Sequence, residues 1–305
     1  MFLPPGVNWK VELFVAYSRL TEDEKRTFQG LACNPQVLRH KMIRFAWSEP
    51  EVPPAQQPGN AECPPPGFTV EEASRITGIF FTNFFALGNK GDLGGGLFHR
   101  LARINHSCVP NATVGKYCNV SGMLYLRALR DLLPGEEVLI GYGKHTRPYR
   151  ERRASFSFVC RCALCSSPVR ERRTSNARRR EMRRFGRWLT DYVREIIQGH
   201  KTDHLDELGL KIAKAYLRRV ESENLYSLLP QGLEALAFAH LQNGDLYRAE
   251  QAMRKAEEYE RMYFGHMAKS MELFWNRVRV VAPQMYDVLQ SGREKVGRRA
   301  VPCEE

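Results

Sequence analysis

Three thiols crowd into six residues at Cys160, Cys162 and Cys165, in a C-x-C-x-x-C pattern. Thiolates at that spacing suit a tetrahedral zinc ion, which takes four ligands and so needs one more from elsewhere in the chain. Cys108 and Cys118 are the two candidates. A redox-active dithiol is the competing chemistry, but no thioredoxin-like strand-to-helix pattern surrounds the segment. Four thiolates leave no open position for water, which makes such a zinc structural. Cys108 lies within Asn105-His106-Ser107-Cys108-Val109-Pro110-Asn111, and between the two cysteine segments come Gly135-Glu136-Glu137 and then Tyr142. Adjacent Glu136 and Glu137 point to opposite faces of an extended chain, so they suit structural hydrogen bonding rather than a paired acid and base.

The chain around these residues has 305 residues, enough for two domains or one with a sizeable extension. It has no apolar run long enough to span a bilayer. The start MFLPPGVNWK lacks the charged, apolar and small-residue order of a secretory signal. Eight cysteines, three of them clustered, read as metal binding in a reducing compartment, so nucleus or cytoplasm is the expected location. The net charge of +12 is concentrated between Arg147 and Arg187, where fourteen Arg stand against three Glu and no Lys. That block is read first as a solvated, Arg-rich helix, and second as a patch for an acidic partner, a nucleic acid or a nuclear import receptor.

Residues 11 to 20 are apolar enough to be buried, with no period that decides between helix and strand. Thr21 with Glu24 forms a capping box, and Val37 to Trp47 continues at helical spacing. Seven prolines between Pro50 and Pro66 make an extended loop. Thr69 with Glu72 caps a second helix, which gives way near Asn83 to a short strand over 84–87. The stretch GNKGDLGGGLFHR lacks the ending of a phosphate-binding loop and reads as a flexible connection or hairpin. Strands are predicted over 112–114, 123–128 and 138–140. Beyond the cysteines the pattern is helical: an apolar stripe from Met182 to Ile197 closed by Gly199, then helices over 204–222, 224–242 and 245–263. Ala235, Ala239, Ala249, Ala252 and Ala256 place small residues where the last two would approach closely.

The ordered set N-H-S-C-x-P-N, Gly-Glu-Glu, Tyr142 and F-x-C-x-C-x-x-C resembles the second half of the SET-domain protein lysine methyltransferases, followed by their cysteine-rich post-SET segment. The resemblance runs from about Thr82 to Cys165. It is nearest to the SET and MYND domain family and related fungal SET proteins, although the MYND finger is missing. It implies an α+β fold: the C-terminal part of a β-rich SET domain, a zinc-binding post-SET segment, and an α-helical tetratricopeptide-like domain. The implied division is 1–47 helical and insertion-like, 48–68 the Pro-rich loop, 69–150 the SET core, 151–170 the post-SET zinc segment, and 171–305 the helical domain. It selects Cys108 as the fourth zinc ligand and implies S-adenosyl-L-methionine as cofactor, bound by Asn83, Asn105, His106 and Phe158. Tyr142 falls on the active-site tyrosine.

The implied activity is transfer of a methyl group to a protein lysine, on a histone tail or another protein. SET domains also carry a Gly-x-Gly turn near their start, and the first twenty residues here contain none, so an N-terminally shortened SET protein is expected. The alternative is an inactive, zinc-stapled scaffold that binds protein partners through its helical C-terminal domain. Nucleic acid is the weaker partner reading, because the arginines are not interleaved with aromatics. No membrane association is expected.

Overall fold

The computed structural model describes residues 1–4, 9–34, 64–87, 93–118, 121–143, 145–156, 158–200, 205–265 and 269–281. The helical spacing over 37–47 and nearly all of the Pro-rich loop lie outside these residues. The chain forms two compact units, Met1–Ile104 and Asn105–Glu305.

In the first unit the undecided segment is a helix, α1 (Trp9–Ser18), followed by α2 (Glu22–Gln29) and α3 (Val70–Asn83). Both capping boxes form: the Thr21 and Thr69 hydroxyls accept from the Glu24 and Glu72 backbone N–H groups, and each Glu accepts from its capping residue's N–H. Leu13, Phe14, Phe28, Ala73, Ile76, Ile79 and Phe80 make the core. Beside it, β1 (Phe2–Leu3), β2 (Phe85–Ala86) and β3 (Gly95–Gly96) pair antiparallel in the order β1-β3-β2. The glycine-rich stretch is thus the return strand of a hairpin. A Cβ on Gly95 or Gly96 would come 2.9 Å from the Phe84 or Phe98 ring, so the glycines admit aromatic rings against the strand.

The second unit opens with β4 (Asn105–His106), which pairs in parallel with β7 (Leu139–Ile140). Between them β5 (Ala112–Cys118) and β6 (Met123–Ala128) form an antiparallel ribbon with an irregularity between Val114 and Tyr117. After α4 (Tyr149–Ala154) and α5 (Ala163–Ser166) comes α6 (Val169–Ile197), 29 residues long and about 44 Å in length. It is followed by α7 (Asp206–Ser222), α8 (Leu229–Gln242), α9 (Leu246–Phe264) and α10 (Lys269–Val281).

Gly199, at φ +81°, follows the end of α6 as expected. The helix expected over 224–242 starts late. Asn224 takes a left-handed φ of 51°, a 3-10 turn spans Tyr226–Leu228, and Pro230 sits in the first turn of α8. Ala235, Ala239, Ala249, Ala252 and Ala256 are all buried in the helical core, as their spacing predicted.

The expected β-rich core is not confirmed among the described residues. Five of the seven strands are two residues long, and helix dominates. The strands form very short ladders supplemented by side-chain hydrogen bonds, and the second unit continues into a large helical region.

Candidate functional site

The Asn-His segment is pinned by its last residue. Asn111 is buried, and its Nδ2 donates to Glu136 Oε1 (2.8 Å) and to the Glu137 carbonyl (2.9 Å). Its Oδ1 accepts from the Leu139 N–H at 2.8 Å, and its own backbone N–H donates to the Leu139 carbonyl. One side chain thereby replaces a longer β-ladder between the segments carrying β4 and β7. The Asn105 Nδ2 donates to Glu137 Oε1 at 2.7 Å. Glu136 and Glu137 therefore serve as hydrogen-bond acceptors, one for each asparagine of the motif.

The Glu136 carboxylate is held down at about 2, first by the Arg130 guanidinium, then by Asn111 and the Leu133 N–H. A depressed carboxylate contributes stability that is fully present above its unfolded value near 4.5 and is lost as pH falls through 2. Acid unfolding of Glu136→Gln, followed by circular dichroism, is expected to show a shallower loss of stability between pH 5 and 2, where this carboxylate titrates. An unchanged acid profile would remove Glu136 from that role.

The thiol cluster forms as the sequence implied. The Sγ atoms of Cys108, Cys160, Cys162 and Cys165 all lie within 4.8 Å of one another. Cys108 Sγ is 3.6 Å from that of Cys165 and 4.0 Å from that of Cys160. Zinc–sulfur bonds of 2.3 Å in a tetrahedron put sulfurs about 3.8 Å apart, so the four thiols fit a zinc ion. Cys118 is elsewhere, on β5 opposite Met123. The thiols alone are electrostatically uneven. Donation from Cys108 and Cys165 pulls the Cys162 thiol down; hydrogen bonds to Cys162 and Cys165, with burial, push Cys108 up; burial holds Cys160 up at about 11. Four thiolates together require a cation.

Two arginines of the basic block complete this surrounding, and sequence reasoning missed both. Arg152 on α4 is buried, and its Nε donates to Cys108 Sγ at 3.2 Å. Arg179 on α6 is 0% exposed, with Nη2 donating to the Cys108 carbonyl at 3.2 Å and Nη1 to that of His145. Its Nε reaches Glu223 Oε2 (2.9 Å) and Ser175 Oγ (3.1 Å), and Arg178 donates to the other Glu223 oxygen. The solvated-helix reading is wrong at these positions, because a carboxylate 44 residues away lets a guanidinium be buried. Replacing Glu223 by Ala leaves that charge unpaired and is expected to cost about 3–5 kcal/mol, measured by denaturant unfolding of the second unit. A cost under about 1 kcal/mol would show that the network is not needed.

His106 links the thiols to an aromatic group. Its Nδ1 accepts from the Tyr142 N–H at 3.1 Å, so its proton sits on Nε2, 3.3 Å from Cys108 Sγ. Burial, the largest cause, lowers its pKa and favours the neutral ring. The ring centroid lies 5.2 Å from Tyr142, 4.5 Å from Phe156 and 6.1 Å from Phe158. Phe156 and Phe158 stack at 5.1 Å. Tyr142 and Phe158 remain 49% and 42% exposed, so the group has an open side. The F-x-F pair two residues before Cys160 was the available signal for Phe156, which the sequence reading passed over.

Gly141 is demanded by this packing, since a Cβ there would sit 1.7 Å from the His145 ring. Burial and Coulomb repulsion, first from Arg179, then from His106 and Arg152, bring the His145 imidazole down to about 4. Asn83 belongs to the first unit, where its Nδ2 donates to the Ala32 and Ile79 carbonyls at 2.7 Å. The other predicted site residues all belong to the second unit and are brought together in it.

The family model of the SET domain matches residues 15–143. That stretch is under half of the chain, and the chain is similar to SMYD proteins over part of it. Over 84 residues it is 37% identical to the zebrafish protein-lysine N-trimethyltransferase SMYD5, covering 25% of this chain and 20% of that protein. It is 31% identical over 121 residues to the mouse histone-lysine N-methyltransferase Smyd1, covering 34% of this chain and 25% of the relative. With mouse histone-lysine N-methyltransferase SMYD3 it shares 29% identity over 159 residues, 49% of this chain and 32% of that protein. The matched stretch thus spans a fifth to a third of these curated relatives. The SET match begins well before Thr82 and takes in the last four residues of α1 and all of α2. No helix among the described residues is long and apolar enough to cross a membrane.

Proposed function

We propose that the chain is an S-adenosyl-L-methionine-dependent protein lysine N-methyltransferase whose zinc, held by Cys108, Cys160, Cys162 and Cys165, is structural. The observation that carries this reading is Tyr142, just past β7, fixed against His106 of β4 beside the Phe156–Phe158 stack and next to the four-thiol cluster. The cofactor supplies an electrophilic sulfonium methyl. Aromatic faces left open by Tyr142 and Phe158 suit a cation and an apolar lysine stem together. Both His106 ring nitrogens are already engaged inside the protein, so its part in cofactor binding falls to its backbone and ring face. Asn105 keeps its amide oxygen and second N–H, and Asn83 is proposed for the amino-acid end.

The attacking lysine must lose a proton first, which costs about 4–5 kcal/mol at neutral pH from a reference pKa near 10.4. An apolar channel lowers that cost by disfavouring the ammonium form. Tyr142 is suited to orient the neutral amine: burial first, and Glu137 next, raise its pKa, so it stays a neutral phenol with a hydroxyl to present. Positioning of amine and methyl supplies much of the remaining rate. The helical C-terminal region is proposed as a tetratricopeptide-like platform for protein partners, and a histone tail as one class of substrate.

Calorimetric titration of the zinc-loaded chain with S-adenosyl-L-methionine tests the cofactor assignment. Saturable binding that weakens in Phe158→Ala is expected. No binding by a folded, zinc-loaded chain would favour the inactive scaffold.

A further inference from the structure

The arginine block has a second use that the methyl-transfer site does not absorb. A cavity of about 540 Å³ opens between the loop at Thr146–Arg147 and the helices α6, α7 and α8 of the second unit. Arg147, Arg183, Arg187 and Arg194 all line it, against one carboxylate, Asp191. That carboxylate is taken by Arg194 at 2.7 Å, and Arg183 is paired with Glu151, which is not in the lining. Arg147 and Arg187 have no carboxylate partner among the described residues. On α6, residues 183, 187 and 194 are four and seven positions apart, which places them on one face of the helix.

The floor differs from the rim. Leu228 is its part-exposed apolar residue, backed by the buried Met182 and Tyr216, and a relay runs from the Tyr216 hydroxyl to Gln231 Oε1 (3.0 Å) and from Gln231 Nε2 to Thr190 Oγ1 (3.1 Å). Like charges gathered round one concavity repel each other, and an anion that enters relieves this. Guanidinium forks match phosphate oxygens in pairs. The size is within the usual range for small-ligand sites.

We infer that this cavity binds a phosphorylated small molecule of nucleotide size, with its phosphates on Arg147 and Arg187 and its body against the Leu228 floor. The site is separate from the thiol cluster and does not depend on the methyltransferase reading.

Calorimetry at low ionic strength tests it, using the full zinc-loaded chain and cytidine triphosphate, which carries no adenine for the cofactor pocket. Saturable binding is expected, weakened about tenfold or more in the double variant Arg147→Gln, Arg187→Gln, with zinc content and Tm unchanged. Neither arginine is ion-paired, so the variant is expected to fold. Inorganic pyrophosphate is expected to bind more weakly than the nucleotide; equal binding would overturn the role of the floor. No saturable binding, or equal affinity in the double variant, would overturn the site. A single-stranded oligonucleotide binding far more tightly than the nucleotide would overturn the small-molecule reading.

Discussion

Replacing Cys162 by Ser is expected to abolish zinc retention and to lower the Tm of the chain by roughly 10 °C or more. The reasoning is electrostatic as well as geometric. Cys162 accepts from Cys108 and Cys165, which favours its thiolate, so its loss removes a ligand that the others converge on. The remaining three thiols cannot close a tetrahedral site. The damage spreads because Cys108 is connected in two further directions. Its sulfur accepts from Arg152 and contacts His106, and its carbonyl accepts from Arg179 on the long helix α6. Metal loss therefore loosens the Asn-His strand, the aromatic group and the start of the helical region together. Zinc content by mass spectrometry and a thermal melt read the two effects separately. A variant that keeps about one zinc per chain would contradict the four-thiolate assignment.

Tyr142→Phe is expected to lower the methyl-transfer kcat about 10²–10³-fold. Cofactor affinity should hold within about twofold, since the ring that packs against His106 and Phe158 is kept. Stability should change by less than about 0.5 kcal/mol, because the side chain is half exposed and its hydroxyl is not buried in the core. Single-turnover kinetics beside a cofactor titration make the comparison. An unchanged rate would remove the hydroxyl from the chemistry.

How far these features could be read from the sequence depended on how local their causes are. Both capping boxes were legible, because Thr21–Glu24 and Thr69–Glu72 are three-residue interactions with a fixed geometry. C-x-C-x-x-C declared its metal chemistry for the same reason. The fourth ligand did not: Cys108 lies 52 residues before Cys160, and only the resemblance chose it over Cys118. Arg152 and Arg179 were hidden inside a run that composition assigns to solvent, since Glu223 and the Cys108 sulfur make their burial tolerable from far along the chain. The helix at Trp9–Ser18 was undecided because apolar residues fall on all its sides and leave no period to count. The predicted strands are present, but a β-rich core is not confirmed among the described residues, and Asn111 does with one buried amide what a longer ladder would do with repeated backbone pairs. The late start of α8 was signalled by Pro230, a residue favoured in a first turn, but the apolar run before it obscured the break.

The central claim is that the strand pair, the tyrosine and the thiol-anchored aromatic group form a lysine methyltransferase site. It is tested most directly by incubating the zinc-loaded chain with methyl-labelled S-adenosyl-L-methionine and a histone mixture, then hydrolysing the protein and separating its amino acids. The account predicts label in methylated lysine, at background level when Tyr142 is Phe. Label in another amino acid, or equal label from both chains, would contradict it.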